Sequence, residues 1–178
     1  MKALRVKAID DAGLRENTII LFTADNGTAG AGKNTLTEAG VREPLIVRCP
    51  GTVKAGVVSD ALVSLVDVFP TVADFAGGTI PADHTLDGKS LAPVLRGETQ
   101  KHHEWLFTAL RDGRMIRDDR FILQGDGRIV DAGGKDVTDT DEGKAARQKF
   151  DALLERLPPP SPQQNLRKQG DRDDRGDA

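Results

Sequence analysis

The sequence predicts an α/β unit followed by a small antiparallel sheet with one helix. Three observations carry this reading. Ile19 to Ala24 and Pro44 to Cys49 are short, nearly unbroken apolar runs, the pattern of strands buried on both faces as in parallel sheets. Val63 to Gly77 carries a broad apolar stripe at helical spacing. Beyond Gln100 the texture changes to short, turn-bounded apolar segments and a final amphipathic stretch.

Taken in order, residues 3 to 14 read as a helix, with Leu4, Ala8, Ile9 and Ala12 near helical spacing and Gly13 as its stop. Asn17-Thr18 leads into the first strand, which Asp25-Asn26-Gly27 ends as a turn. Thr28 to Asn34 is small and Gly-rich, a loop. The second strand closes at Pro50-Gly51. In the helix of 63 to 77, Pro70 is tolerable only near the first turn, and Gly77-Gly78 supplies the stop. Leu91 to Leu95 reads as one more helical turn. Trp105 to Leu110, Gly113 to Ile116, Arg120 to Leu123 and Gly127 to Val130 read as an antiparallel meander. Residues 141 to 157 place Ala145, Ala146, Phe150, Leu153, Leu154 and Leu157 on one side of a helix. Pro158 to Ala178 holds four of the nine prolines and only Leu166 and Ala178 as apolar members, so it reads as a disordered tail.

Composition narrows the function classes. The chain has 178 residues, 25 Lys+Arg against 28 Asp+Glu, and a formal net charge of -3. That balance gives no electrostatic case for nucleic acid or an anionic membrane. No tyrosine and one tryptophan leave no stacking surface for bases. One cysteine excludes an internal disulfide and a cysteine zinc cluster, and three histidines argue against a His-rich metal site. No apolar run approaches the ~20 residues of a membrane span. Residues 1 to 7 are basic with no apolar stretch after them, which is not the pattern of a signal peptide.

Two local signals carry chemistry. Asp25 and Asn26 offer two oxygen donors at the end of a buried strand, where α/β sheets bind ligands. Such donors suit a hard cation such as calcium or magnesium, and the same residues are also ordinary turn formers. Lys33, in a Gly-rich loop, can reach an anion as a flexible point charge. The glycine spacing there is not that of a phosphate-binding P-loop.

In order and spacing these pieces resemble the sulfatases of the alkaline phosphatase superfamily, arylsulfatase type. The matching stretches are NTIILFTADNG at Asn17 to Gly27, GKNTLTEAGVREP at Gly32 to Pro44, and VRCPG at Val47 to Gly51. SLVDVFPTVADFAG at Ser64 to Gly77 and LDGKSLAPVLRG at Leu86 to Gly97 continue the match. The resemblance implies the C-terminal part of an alkaline-phosphatase-like sheet sandwiched by helices over residues 1 to 100. It also implies a small C-terminal α+β subdomain over 101 to 157, ahead of the tail at 158 to 178.

By the same resemblance Asp25 and Asn26 match metal ligands, usually for calcium, and Lys33 matches the lysine that contacts the sulfate group. Glu38, Gly40 and Arg42 match a motif we read as structural, with Ala39 in place of its usual second glycine. The family's nucleophile is a formylglycine made in a Cys/Ser-x-Pro-Ser-Arg motif, and nothing here matches it. Cys49 precedes Pro50-Gly51 and reads as a small core residue. His84, His102 and His103 fall where the family uses no histidine and read as exposed loop residues. No catalytic residue is therefore assigned. The implied activity is sulfuric ester hydrolysis, on a sulfate ester small molecule or a sulfated glycan, with the isolated chain inactive. A phosphate or phosphonate ester hydrolase of the same superfamily, or a non-catalytic fragment, are the alternatives.

Overall fold

A computed structural model of the chain describes residues 2–157, with side chains from Val6 onward. The expected disordered tail, 158 to 178, lies outside the described residues.

The first helix, α1, spans Lys2–Asp11 and ends at Gly13, whose positive φ of 71° only glycine adopts cheaply. Strand β1 (Ile20–Thr23) follows a single 3-10 turn at Arg15–Asn17. The short helix α2 (Glu38–Val41) then precedes β2 (Leu45–Arg48). The end of α1 is tied to β2 by Asp10, whose carboxylate accepts from Arg48 Nη2 at 2.7 Å.

Here the structure corrects the sequence reading. β1 and β2 are neighbours, but they pair antiparallel, Ile20 opposite Arg48 and Thr23 opposite Leu45. Every residue of β1 is only half-buried, and Ile46 of β2 is 60% exposed. An unbroken apolar run cannot report strand direction, and in a two-stranded sheet it cannot find two covered faces.

Helix α3 (Val68–Phe75) is introduced by a 3-10 turn at Leu65–Asp67. Ser64 and Asp67 form a reciprocal capping box there, with the Ser64 backbone N–H donating to Asp67 Oδ2 at 2.7 Å. Pro70 sits in the first turn of α3, where its missing N–H costs no helical bond. Helix α4 (Ala92–Leu95) packs against α3 through Thr71, whose hydroxyl accepts from the Leu91 N–H at 2.8 Å and donates to the Asp67 carbonyl.

The C-terminal unit follows the expected meander. Strands β3 (Leu106–Leu110), β4 (Gly113–Arg117), β5 (Phe121–Leu123) and β6 (Ile129–Asp131) pair antiparallel in chain order. Helix α5 (Asp141–Leu154) closes one face, with Thr140 Oγ1 accepting from the Gly143 N–H as its N-cap. Side chains alternate across the sheet. Ile116, Phe121, Leu123 and Ile129 meet Ala146 and Phe150 of α5. Met115, Ile122 and Val130 point the other way and meet Leu36, from the loop before α2.

Asp118, in the β4–β5 turn, is 5% exposed and accepts from Lys149 Nζ at 2.6 Å and from the N–H groups of Arg120 and Phe121. Burial pushes its carboxyl up, but Lys149 and the two N–H groups outweigh that and hold it below the ordinary value of 3.8. A carboxylate depressed in the folded state adds stability above its unfolded pKa and loses it as pH falls through the folded value. We therefore expect the denaturation midpoint to fall as pH drops below about 4. In Asp118→Asn the midpoint should be lower at pH 7 and should fall less on acidification. Equal pH slopes for the two proteins would refute this.

Candidate functional site

Asp25 and Asn26 come directly after β1 and Ala24, so the strand delivers them to its C-terminal end. Asp25 is exposed and Asn26 half-buried. The two side chains touch, Asn26 Nδ2 donating to Asp25 Oδ1 at 3.1 Å. With its nitrogen turned to Asp25, the carboxamide keeps its oxygen available. The pair offers carboxylate and carboxamide oxygens, a donor set that fits calcium in kind and supplies two of the ~6–8 oxygens it takes.

The loop carrying Lys33 is folded onto this turn. Thr28 O accepts from the N–H groups of Ala31 and Lys33, and Gly40 O accepts from the Gly27 N–H at 3.1 Å. The approach is too close for side chains. A Cβ on Gly32, whose φ is +115°, would stand 2.1 Å from Ala39 O, and one on Gly40 would stand 2.3 Å from Thr35 O. Ala39 itself is exposed, so it is its backbone that packs, which explains why alanine is accepted where the pattern has glycine. Lys33 is exposed beyond this cradle.

Glu38 ties the cradle to the C-terminal sheet. Its carboxylate accepts from Arg117 Nη1 on β4 at 2.9 and 3.0 Å, and Arg42 lies 3.7 Å away. Gly125 N–H donates to Leu36 O at 3.2 Å beside it. The structural reading of Glu38, Gly40 and Arg42 thus acquires partners. Cys49 is a free, half-buried thiol one residue past β2.

His84 is exposed as expected, paired with Asp83 at 3.1 Å. The reading of His102 and His103 as exposed loop residues is overturned. Their side chains are 4% and 18% exposed, and both rings face Asp67, which is fully buried. His103 Nε2 lies 2.9 Å from Asp67 Oδ1, and His102 Nε2 lies 3.3 Å from Oδ2. The Lys89 N–H also donates to Oδ1, at 3.0 Å. Burial pushes the Asp67 carboxyl up, but the Lys89 and Ser64 N–H groups and His103 hold it below the ordinary range. Burial pushes the His102 imidazole down, only partly offset by the Asp67 charge. The three side chains form a group able to hold a metal ion, contrary to the histidine count. The one local signal was the Ser64-x-x-Asp67 capping pattern, which places Asp67 but not its partners.

The strand-end Asp-Asn pair, the glycine-bound loop after it and the sheet-and-helix unit define a segment of an alkaline-phosphatase-like α/β fold. The family model for Sulfatase matches residues 6–78. Mouse steryl-sulfatase is 40% identical over 119 residues, covering 56% of this chain and 19% of its own length. Human arylsulfatase A is 40% identical over 113 residues, 56% of this chain and 22% of its length. Among solved structures, BT4656, in complex with its substrate D-glucosamine-2-N,6-O-disulfate, superposes with a TM-score of 0.72 at 27% identity. That superposition covers 86% of this chain and 36% of BT4656. Residues 6–78 thus match the sulfatase family, and the described fold is similar to that of sulfatases. It spans about a fifth of the length of these two curated relatives. No helix among the described residues is long and apolar enough to cross a membrane.

Proposed function

We propose that this chain contributes to hydrolysis of sulfate esters, as the part of a sulfatase that carries the late metal ligands and a sulfate contact. The observation that carries the reading is the strand-end pair Asp25 and Asn26 with the Lys33 loop bound to the same turn through Gly27 and Gly40. Asp25 and Asn26 would hold calcium, which when bound supplies Lewis-acid polarisation of the sulfuryl oxygens. Lys33 binds a sulfate oxygen and offsets negative charge as the ester bond to sulfur breaks. Residues 1 to 100 serve as the catalytic-domain portion and 101 to 157 as the subdomain that braces it through Glu38 and Leu36. The exposed apolar surface at Ile46, Val66 and Phe69 suits packing against further sheet and helices of the family fold. The substrate class is a sulfate ester, and a sulfated sugar is favoured by the substrate bound in BT4656.

Turnover needs a nucleophile, and no family nucleophile motif occurs in the sequence. The purified 178-residue chain should bind calcium weakly and leave aryl sulfates intact. Joined to the nucleophile-bearing portion of a sulfatase relative, it should hydrolyse them, and Asp25→Ala should abolish that activity. Sulfatase turnover by the chain alone, or full activity of the joined Asp25→Ala protein, would sink the proposal.

A further inference from the structure

The strand-end oxygen pair leaves unused the buried cluster at the start of α3. We propose that Asp67, His102 and His103 form a second metal site, for a divalent transition-metal ion of the zinc type. Their ligand atoms all lie within 4.8 Å of one another. Both imidazoles present Nε2 to one carboxylate, at 2.9 Å for His103 and 3.3 Å for His102. In a tetrahedral zinc site, with bonds of about 2.0–2.2 Å, neighbouring ligand atoms stand roughly 3.3 Å apart. The two imidazole–carboxylate separations are therefore within a few tenths of an ångström of that spacing.

A second observation points the same way. His102 Nε2 is buried, and its 3.3 Å approach to Asp67 is at an angle that makes no hydrogen bond. One histidine would suffice to satisfy the carboxylate, and His103 already does so. An ion between the three groups gives the second ring nitrogen its missing partner.

The donor set selects the metal. Two imidazoles and one carboxylate suit zinc and its neighbours, whereas calcium takes ~6–8 oxygens. The carboxylate is oriented for the task by the backbone N–H groups of Ser64 and Lys89, the kind of outer hydrogen bonds that position metal ligands. His103, at 18% exposure, marks the open side, where a water would complete the coordination. The nearby Lys89 ammonium is engaged by the His102 carbonyl oxygen, and its charge moderates affinity. The ion would staple the start of α3 to the segment entering β3, 36 residues further on. None of this depends on the sulfate-ester reading.

The full 178-residue chain, stripped with chelator, is to be titrated with zinc and with cobalt as a spectroscopic probe. We expect one ion per chain, the visible bands of four-coordinate cobalt, and zinc-induced shifts of the His102 and His103 ring signals but not of His84. His102→Gln and His103→Gln should each weaken zinc binding by ~10-fold or more. His84→Gln and Asp25→Ala should leave it unchanged. The ring-signal measurement uses the unmodified chain, so it stands even where a variant misfolds. Unshifted His102 and His103 signals, zinc binding lost in His84→Gln or Asp25→Ala, or calcium displacing zinc at equal concentration would each overturn the proposal.

Discussion

Phe150→Ala is expected to destabilise the chain by about 3–5 kcal/mol, the range for removing a fully buried aromatic side chain. Phe150 has no exposed surface and is the largest fully buried side chain. It projects from α5 into the cluster of Ile116, Phe121, Leu123 and Ile129, so it is what fastens the helix to the meander. Loss of one side chain of this size is large against the ~5–15 kcal/mol by which domains are usually stable. The single tryptophan, Trp105, packs against the same cluster and reports on it directly. Urea unfolding followed by Trp105 fluorescence should show the midpoint falling sharply. A loss below about 1 kcal/mol would mean that the cluster closes over the gap or that α5 is not held by it.

Leu36→Ala is expected to cost about 2–5 kcal/mol and to act at two places at once. Leu36 is 8% exposed and fills the face of the C-terminal sheet opposite α5, among Met115, Ile122 and Val130. The fit is close enough that a Cβ on either Gly113 or Gly125 would stand 2.7 Å from it. The same residue lies between Lys33 and Glu38, so truncating it frees the loop that carries the proposed sulfate contact. Hydrogen exchange should accelerate at the Gly27 and Gly40 amides, both bonded within that cradle. Faster exchange confined to the C-terminal strands, with the cradle amides unchanged, would show that the two units do not depend on each other through Leu36.

The elements were legible because their signals are local. Apolar runs mark β1 and β2, and the stripe with its Gly77-Gly78 stop marks α3. Turn-bounded segments mark β3 to β6 within a residue or two. Asp25, Asn26 and Lys33 are proposed from residue chemistry together with motif order, which are also properties of short stretches. The direction of β1 against β2 was not legible, because apolarity along a strand is the same read either way.

The buried histidines were misread for a related reason. Before Trp105, two polar rings in a short connection look like solvent-facing loop, since histidine is polar and nothing adjacent demands its burial. Their burial follows from Asp67, 36 residues earlier for His103, whose carboxylate sits at the helix start and requires donors. Likewise the Glu38–Arg117 ion pair spans 79 residues. The sequence by itself determined the order and type of the strands and of the longer helices, though not α2 or the start of α3. Those depend on periodicity, turn chemistry and side-chain type, all carried by neighbouring residues. Only the tertiary structure decided that β1 and β2 run antiparallel, that Leu36 plugs the second sheet and that Asp67 gathers two histidines. Each of these is a pairing between distant residues, set by which surfaces must be buried against each other once the chain is compact.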